Sequence, residues 1–482
     1  MTGFIAPDLT AILPELVLAG LALFLLLLGV SWKRENYEVI AQLGVFALIA
    51  VAVIVFRSSR ESATIFNGMF ITDSFSVFMK ILVLTGSVVS LMMARKYLER
   101  EKINRIEYPV LILFSTLGMM LMISANDLMS LYMALELQSL PIYVLAAIQR
   151  DSVRSTEAGL KYFILGALSS GMLLYGASLI YGFSGATGFA LIAEAVGEQT
   201  VMAPGVVVGM VLMTAGLAFK ISAVPFHMWA PDVYEGAPTS VVAFFAIAPK
   251  VAAIALITRV FMGPFGEMVE QWRQVIVVIS IASMTLGGIA AIGQANIKRL
   301  LAYSSIGHMG YALVGLAAAN KSGIQGVVIY IAIYMVMSIG AFCVVLMMKK
   351  KDKMVENISD LSGLAKQQPL LALAMAIMMF SMAGIPPMAG FFGKLFIFQS
   401  AINAGLYTLA IIGVLTSVVA AYYYLRIIKV MYFEDAAAGI DKAEDGTLNL
   451  ILLGSSLVVV FFIALPMPLL TGTEIAVMSL VK

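Results

Sequence analysis

Uncharged apolar runs of about 20 residues recur along almost the whole chain, and they restrict its fold more than any other feature. A helix of this length spans the hydrocarbon core of a bilayer, and the connections between the runs are no longer than loops. Only 12% of the residues are charged and 61% are hydrophobic, whereas soluble domains carry about 25% charged residues. Because lipid offers the backbone no hydrogen-bonding partners, the runs predict an all-α polytopic membrane protein.

A hydropathy window of about 20 residues predicts about fourteen transmembrane helices. The seventh is expected to break at Pro225 and Pro231, and the twelfth at Pro386 and Pro387. The segment 186–198 is amphipathic and too short to span, so we expect it to lie along the surface. The predicted spans are 10–32, 38–56, 71–94, 108–124, 127–148, 156–181, 204–222 with a broken continuation, 238–262, 272–294, 299–319, 323–348, 369–402, 404–433 and 448–470.

The two broken helices indicate an internal repeat. Helices four to eight contain one break and helices nine to thirteen contain the other, at an offset of about 160 residues. Because five helices are an odd number, the second unit enters the membrane from the opposite side and is inverted, as in many transporters. The alternative is that two long helices kink independently at proline. The predicted division is 1–107 (three helices), 108–262 (first inverted repeat), 272–433 (second inverted repeat) and 434–482 (C-terminal helix).

Positive charges in the connections predict the orientation. Two clusters of Lys and Arg, within 95–105 and 349–366, fall on the same side of the predicted bundle, and the other side carries few positive charges. The positive-inside rule places both clusters in the cytoplasm. Both termini are then expected outside the cytoplasm.

Titratable residues inside the predicted helices mark the candidate site, since such residues are costly in lipid. At 1.5 Å per residue, Glu136 lies about 13 Å into helix five, near the bilayer midplane. Charges at similar depth compensate one another only if they face a common interior, so we expect a polar axis along the membrane plane. The candidate residues are Glu136, Lys161, Lys220, Lys250, His308 and Lys394.

Such an axis suits proton transfer. The charge state of a poorly solvated lysine depends on the nearest carboxylate, so Glu136 and Lys220 are expected to act together as a gate. The alternatives are a structural ion pair and, for Lys161 above all, a lysine that extends from a helix end toward the headgroups. We interpret Lys80 and Arg259, which lie nearer helix ends, as mainly interfacial.

Redox chemistry within the chain is not expected. The single cysteine, Cys343, lies in an apolar run and excludes a disulfide framework or a cysteine-based metal cluster. Two histidines are too few for a haem or zinc protein. His308 alone would more often be a satisfied polar residue, but nearby serines and a tyrosine could hold water beside it.

Three stretches carry a resemblance to a known family: FKISAVPFHMWAPDVYEGAPTS, NIKRLLAYSSIGHMGYALVG and MAGIPPMAGFFGKLFIF. They resemble the antiporter-like membrane subunits of proton-pumping NADH:quinone oxidoreductase, respiratory complex I. Lys250 stands where the M and L subunits and related antiporter subunits carry histidine, and Lys394 stands where M subunits carry glutamate. The chain is therefore most similar to the bacterial N-type subunits.

This resemblance implies a role for each candidate. Glu136 would modulate Lys220, the central proton carrier; Lys250 would bridge to the second half; Lys394 would pass the proton to the exit side; and Lys161 would belong to the cytoplasmic opening. Waters near His308 would connect Lys250 with Lys394.

The resemblance also implies a setting for the chain. It implies the bacterial inner (plasma) membrane, where the termini that the positive charges place outside the cytoplasm are periplasmic. It also implies K- and M-type neighbours, and a subunit of an enzyme that holds no cofactor itself. FMN, iron–sulfur clusters and quinone would bind other subunits. A stand-alone cation/proton antiporter and a purely structural scaffold of the membrane arm stay open as alternatives.

Overall fold

The structure is a computed structural model that describes residues 9–31, 37–58, 61–197, 203–351, 353–435, 440–441 and 445–480. The two ends of the chain, whose side of the membrane the sequence predicts, lie outside these ranges. In the described part, eleven helices are long and apolar enough to cross a membrane. The prediction of a multi-pass helical membrane protein is confirmed at this level.

The helices follow one another along the chain with short connections. Two small antiparallel hairpins interrupt them, β1 (Ala63–Ile65) with β2 (Phe70–Thr72), and β3 (Lys349–Lys350) with β4 (Lys353–Met354). The helices are α1 (Leu13–Ser31), α2 (Tyr37–Arg57), α3 (Ser74–Arg100), α4 (Glu107–Ser124), α5 (Leu128–Ala146), α6 (Val153–Ser184), α7 (Phe189–Gly197), α8 (Pro204–Lys220), α9 (Trp229–Gly236), α10 (Thr239–Met262), α11 (Val269–Ile292), α12 (Ile297–Ala317), α13 (Lys321–Met347), α14 (Leu364–Gln367), α15 (Pro369–Ala383), α16 (Ala389–Asn403), α17 (Tyr407–Phe433), α18 (Gly446–Phe461) and α19 (Met467–Met478).

Both predicted breaks coincide with helix ends. The first lies between α8 and α9, and the second lies between α15 and α16. The prediction of a further break at Pro231 is wrong, because this proline is the third residue of α9. Proline is tolerated in the first turn of a helix, where its missing N–H has no intrahelical partner to lose.

The end of the chain also differs from its predicted form. The predicted helix 448–470 is divided, because α18 ends at Phe461 and α19 begins at Met467. Pro466 and Pro468 explain the division, since proline starts a helix readily but cannot continue one. The helix α19 packs against α3 and α13. The predicted surface segment forms α7, a short helix that buries only one face.

The helices differ in how much of their surface the bundle covers. All residues in the most apolar 18-residue stretch of α10 are buried, and in α12 and α13 the buried share of such a stretch is 94%. By contrast, α1, α6 and α17 expose long apolar faces, which suits contact with lipid or with another membrane protein. The central helices α10 and α12 carry Lys250 and His308, so two of the candidate residues lie in the most shielded part of the described bundle.

Candidate functional site

Lys220 is the last residue of α8 and lies at the first break. Its Nζ donates hydrogen bonds to Ser139 Oγ at 2.7 Å and to Tyr143 OH at 3.3 Å, both on α5. The same ammonium lies 5.7 Å from the centre of the Tyr143 ring. Hydroxyl oxygens and an aromatic face therefore replace the water that a lysine loses on burial.

Glu136 lies on α5, less than one turn before Ser139. Its Oε1 accepts a hydrogen bond from Ser170 Oγ of α6, and no ion pair joins it to Lys220 among the described contacts. Glu136 and Ser139 lie on one face of α5, and Lys220 of α8 contacts this face through its hydrogen bond to Ser139. Any influence of the carboxylate on the lysine therefore acts as a charge at a distance across a poorly polarisable interior.

Lys250 lies half-way along α10 and is 1% exposed. Its Nζ donates to the carbonyl oxygen of Ile221 and to Ser222 Oγ, each at 3.0 Å. Both acceptors follow directly after the end of α8, where the helix leaves carbonyl groups without intrahelical partners. Lys250 therefore satisfies one backbone carbonyl and one serine hydroxyl at the first break.

Lys394 makes equivalent contacts at the second break. Its Nζ donates to the carbonyl oxygens of Met382 at 3.0 Å and Ala383 at 2.9 Å, and to Ser417 Oγ at 2.8 Å. These carbonyls end α15, just as the acceptors of Lys250 follow α8. The C-terminal end of a helix carries partial negative charge, which favours an ammonium group. Each break thus provides a site for one buried lysine.

His308 on α12 lies among tyrosines of three helices. Its Nδ1 lies 2.6 Å from Tyr330 OH, and its Nε2 lies 3.0 Å from Tyr424 OH. Tyr424 OH also lies 2.5 Å from Ser304 Oγ. Because hydroxyl groups and a neutral imidazole both donate and accept hydrogen bonds, this cluster can pass a proton from one member to the next.

Lys161 belongs to a separate charged cluster. Its Nζ lies 2.7 Å from Glu157 and 2.9 Å from Asp232, and Arg299 contacts Asp232 at 2.8 Å and Glu235 at 2.9 Å. Burial alone would raise the pKa of Asp232, but the hydrogen bonds from Lys161 and Arg299 outweigh it and lower the pKa below the usual value. The Lys161 side chain is 43% exposed, so the cluster lies at an opening of the bundle.

The interfacial interpretation of Lys80 and Arg259 is wrong. Lys80 Nζ contacts Glu15 of α1 at 2.6 Å, and both side chains are at most 3% exposed. Arg259 of α10 donates to both carboxylate oxygens of Asp73, each at 3.0 Å. Distance from a helix end indicates depth but not direction, and these side chains point inward to partners on distant helices.

Sequence reasoning missed most of the polar partners. Ser139 and Tyr143 follow Glu136 at the third and seventh positions, a spacing that places all three on one helix face, so this set could have been predicted. Tyr330 and Tyr424 lie on different helices from His308, and no spacing connects them. In the described residues, no group of three or more His, Cys, Asp or Glu is arranged to hold a metal ion.

Apolar helices, two broken helices and buried lysines at the breaks together define an antiporter-like membrane subunit. Residues 125–420 match the family described as NADH:quinone oxidoreductase/Mrp antiporter, TM. NADH-quinone oxidoreductase subunit N of Paramagnetospirillum magneticum is 55% identical over 97% of this chain and 97% of its own length. The chain belongs to the NADH-quinone oxidoreductase subunit N family.

Solved structures share this fold. A chain of respiratory complex I from Thermus thermophilus, with bound aureothin, is 30% identical, with a TM-score of 0.82 over 95% of this chain and 98% of that one. A chain of the Mrp complex from Dietzia sp. has a TM-score of 0.84 at 24% identity over 98% of both chains. The second likeness concerns the fold alone, so the family assignment comes from the relatives of higher identity.

Proposed function

We propose that the chain is a proton-translocating membrane subunit of an NADH:quinone oxidoreductase. Protons pass from Lys220 through Lys250 and the tyrosines around His308 to Lys394, and the charge of Glu136 controls the first of these steps. The observation that carries the proposal is the pair of similar breaks, each of which binds a buried lysine through at least one carbonyl oxygen at a helix end and one serine hydroxyl.

The surroundings of Glu136 support a neighbouring subunit. Glu136 is only partly covered by its own chain, and Met133 and Leu140 on the same helix are 63% and 51% exposed. A carboxylate near the bilayer midplane is too costly to face lipid, so another membrane protein covers this face of α5. The K- and M-type subunits are the expected neighbours, and charge changes reach Glu136 from that side.

The remaining parts of the proposal follow from family membership. NADH, FMN, iron–sulfur clusters and quinone belong to other subunits, and this chain contributes ion movement to a translocase. It lies in the bacterial inner membrane with periplasmic termini. We further propose about fourteen spans and two inverted units, 108–262 and 272–433, because the two breaks bind their lysines in the same way.

A cation/proton antiporter that acts without the redox subunits is the second candidate, supported by the matching family, whose description includes the Mrp antiporter. The two candidates differ in their energy source. Proton movement by the first depends on NADH-driven quinone reduction, whereas the second would exchange Na⁺ or K⁺ for protons in vesicles that contain no redox subunits.

The test uses membrane vesicles with the intact complex carrying Lys220→Ala or Glu136→Ala. Native gels establish assembly, and NADH-driven quinone reduction and proton uptake are measured in one sample. Loss of a proton-transfer group is expected to lower uptake about 10²-fold or more. Lys321→Ala is the matched control, because this lysine is exposed at the start of α13. Wild-type uptake in assembled vesicles of both buried-site variants would refute the proposal.

A further inference from the structure

A second ion pair, formed by Lys298 and Glu356, lies beside the opening marked by Lys161. Lys298 is the second residue of α12 and is 2% exposed. Its Nζ lies 2.6 Å from Glu356 Oε1 and donates to the carbonyl oxygen of Ala237 at 3.1 Å. The route from Lys220 to Lys394 uses neither residue, so the reason for burying this lysine lies elsewhere.

Glu356 comes from the loop after β4, and that loop is fastened to both halves of the bundle. The backbone N–H of Ile297 donates to the Glu356 carbonyl at 2.8 Å, and Asn296 Nδ2 lies 3.3 Å from Glu356 Oε2. Thr239 Oγ1, at the start of α10, lies 3.4 Å from Glu356 Oε1. The carboxylate therefore lies where α10 and α12 begin.

Exposure differs sharply across this pair. The Glu356 side chain is 21% exposed, whereas the Lys298 side chain is 3% exposed. A carboxyl group in this position can exchange protons with water on one side and face the protein interior on the other.

A polar stripe leads inward from the pair along α12. Ser305 and His308 follow Lys298 at the seventh and tenth positions, which places all three on one face of the helix. At 1.5 Å per residue, His308 lies about 15 Å beyond Lys298. Ser305 Oγ accepts a hydrogen bond from Tyr334 OH at 2.9 Å, so hydroxyl groups occupy the middle of this distance.

The stripe has one gap between Lys298 and Ser305 and another between His308 and Lys394. Buried hydroxyl groups lie at both gaps. Among the described residues, Tyr234 OH and Ser240 Oγ, which flank the junction of α9 and α10 that contacts Lys298, make no hydrogen bond of normal length and angle. Tyr311 OH likewise makes no hydrogen bond of normal length and angle, and its ring centre lies 4.9 Å from Lys394 Nζ. A water molecule beside these groups would complete a proton path, and small side-chain movements must make room for it at Tyr311, because the cavity there is too small to hold one.

We propose that the Lys298–Glu356 pair is a second proton entrance, which supplies His308 and Lys394 along α12 independently of the Lys161 cluster. Proton movement from either entrance stays coupled to the charge of Lys220, so Lys220→Ala stops uptake from both. The inference rests on the proposed function. Glu356 takes a proton from water at the surface and gives it to water inside, and its carboxylate is then ready for the next proton. Lys298 is a positioning residue, because its ammonium holds the carboxylate against the start of α12.

The decisive variant is Glu356→Gln in vesicles that contain the intact complex. The glutamine carbonyl still accepts hydrogen bonds from Lys298 and Thr239, the bond from Asn296 Nδ2 is lost, and the side chain no longer exchanges a proton. Because one of two parallel entrances is lost, NADH-driven proton uptake at pH 8 is expected to fall about twofold. Added formate, a small proton carrier, is expected to restore it, which it could not do for a structural defect.

Three further variants complete the design. Glu356→Gln with Asp232→Asn closes both entrances and is expected to lower uptake about tenfold or more. Asp151→Asn removes an exposed carboxylate near the start of α6 and is expected to change nothing. Glu356→Asp keeps a carboxyl group and is expected to keep uptake. If the glutamine variant does not assemble, uptake by the aspartate variant is compared with and without formate instead.

Two results would overturn the second entrance. One is wild-type uptake by assembled Glu356→Gln at every pH, alone and combined with Asp232→Asn. The other is a loss of uptake in an assembled variant that formate does not relieve. Either result, together with abolished uptake in Lys220→Ala, leaves the proposed function intact. Normal uptake in both Lys220→Ala and Glu136→Ala would instead remove the proposed function.

Discussion

The ion pair between Arg259 and Asp73 gives the sharpest prediction of stability. The two side chains are 4% and 1% exposed and share two hydrogen bonds of 3.0 Å, and Arg259 Nε also donates to the Ile123 carbonyl at 3.0 Å. In Arg259→Met the buried carboxylate loses its partner, which costs about 3–5 kcal/mol, and the carbonyl loses its donor at about 1–3 kcal/mol. We therefore expect a total destabilisation of about 4–8 kcal/mol, comparable with the whole stability of many domains.

The measurement is the fraction of solubilised complex that survives stepwise heating, read from native gels and compared with the starting amount. Arg95→Met is the matched control, because the pair of Arg95 with Glu38 is 41% and 51% exposed and is worth at most about 1 kcal/mol. Asp73→Asn combined with Arg259→Met is expected to recover part of the loss, since no charge is then left unpaired. Asp73 also caps the start of α3 by accepting a hydrogen bond from the Ser76 N–H, and Asn retains that ability.

Two outcomes would refute this reasoning. One is that Arg259→Met is no less stable than Arg95→Met, which would mean that Asp73 finds water or another partner. The other is that the double variant is less stable than Arg259→Met alone, which would mean that the unpaired carboxylate is not the cause of the loss.

Two further predictions concern the candidate site. Tyr330→Phe removes the hydroxyl that lies 2.6 Å from His308 Nδ1; proton uptake should fall about tenfold with assembly unchanged, and Tyr407→Phe, at an exposed position, should match the wild type. Gly384→Ala puts a Cβ on a residue with φ +86°, 2.9 Å from Lys394 Cδ. The free energy of unfolding should therefore fall by about 1–3 kcal/mol, which lowers the surviving fraction on heating, and uptake should fall with it. Gly405→Ala has a similar φ of +75° but open space around its Cβ, and should leave uptake unchanged; equal uptake in both glycine variants would contradict the argument.

Apolar length and proline position made most of the fold predictable. The hydropathy window finds the long helices because the bilayer sets a minimum length for each apolar span. Proline marks the breaks because it removes a backbone donor, although Pro231 shows that it also starts helices. The division between α18 and α19 was missed because two short apolar helices have the same hydropathy as one long span.

The site was predictable in its lysines but not in its contacts. Depth along a helix follows from residue number, so Lys220 and Lys250 could be placed at the first break and half-way along a span. The facing direction of Arg259 could not be found in this way, because its partner Asp73 is 186 positions away in the chain. Long-range pairing depends on how helices pack, and the apolar pattern of a membrane helix is too uniform to indicate a buried face.

The acceptors at the two breaks have a consequence for the direction of proton movement. A lysine has three N–H donors when charged and two when neutral. Lys250 has two acceptors, so it can lose a proton and still bond both of them. Lys394 has three, and when it becomes neutral, Ser417 must turn its hydroxyl and donate to the amine. Lys250 can therefore exchange protons in place, whereas release at Lys394 requires its surroundings to rearrange.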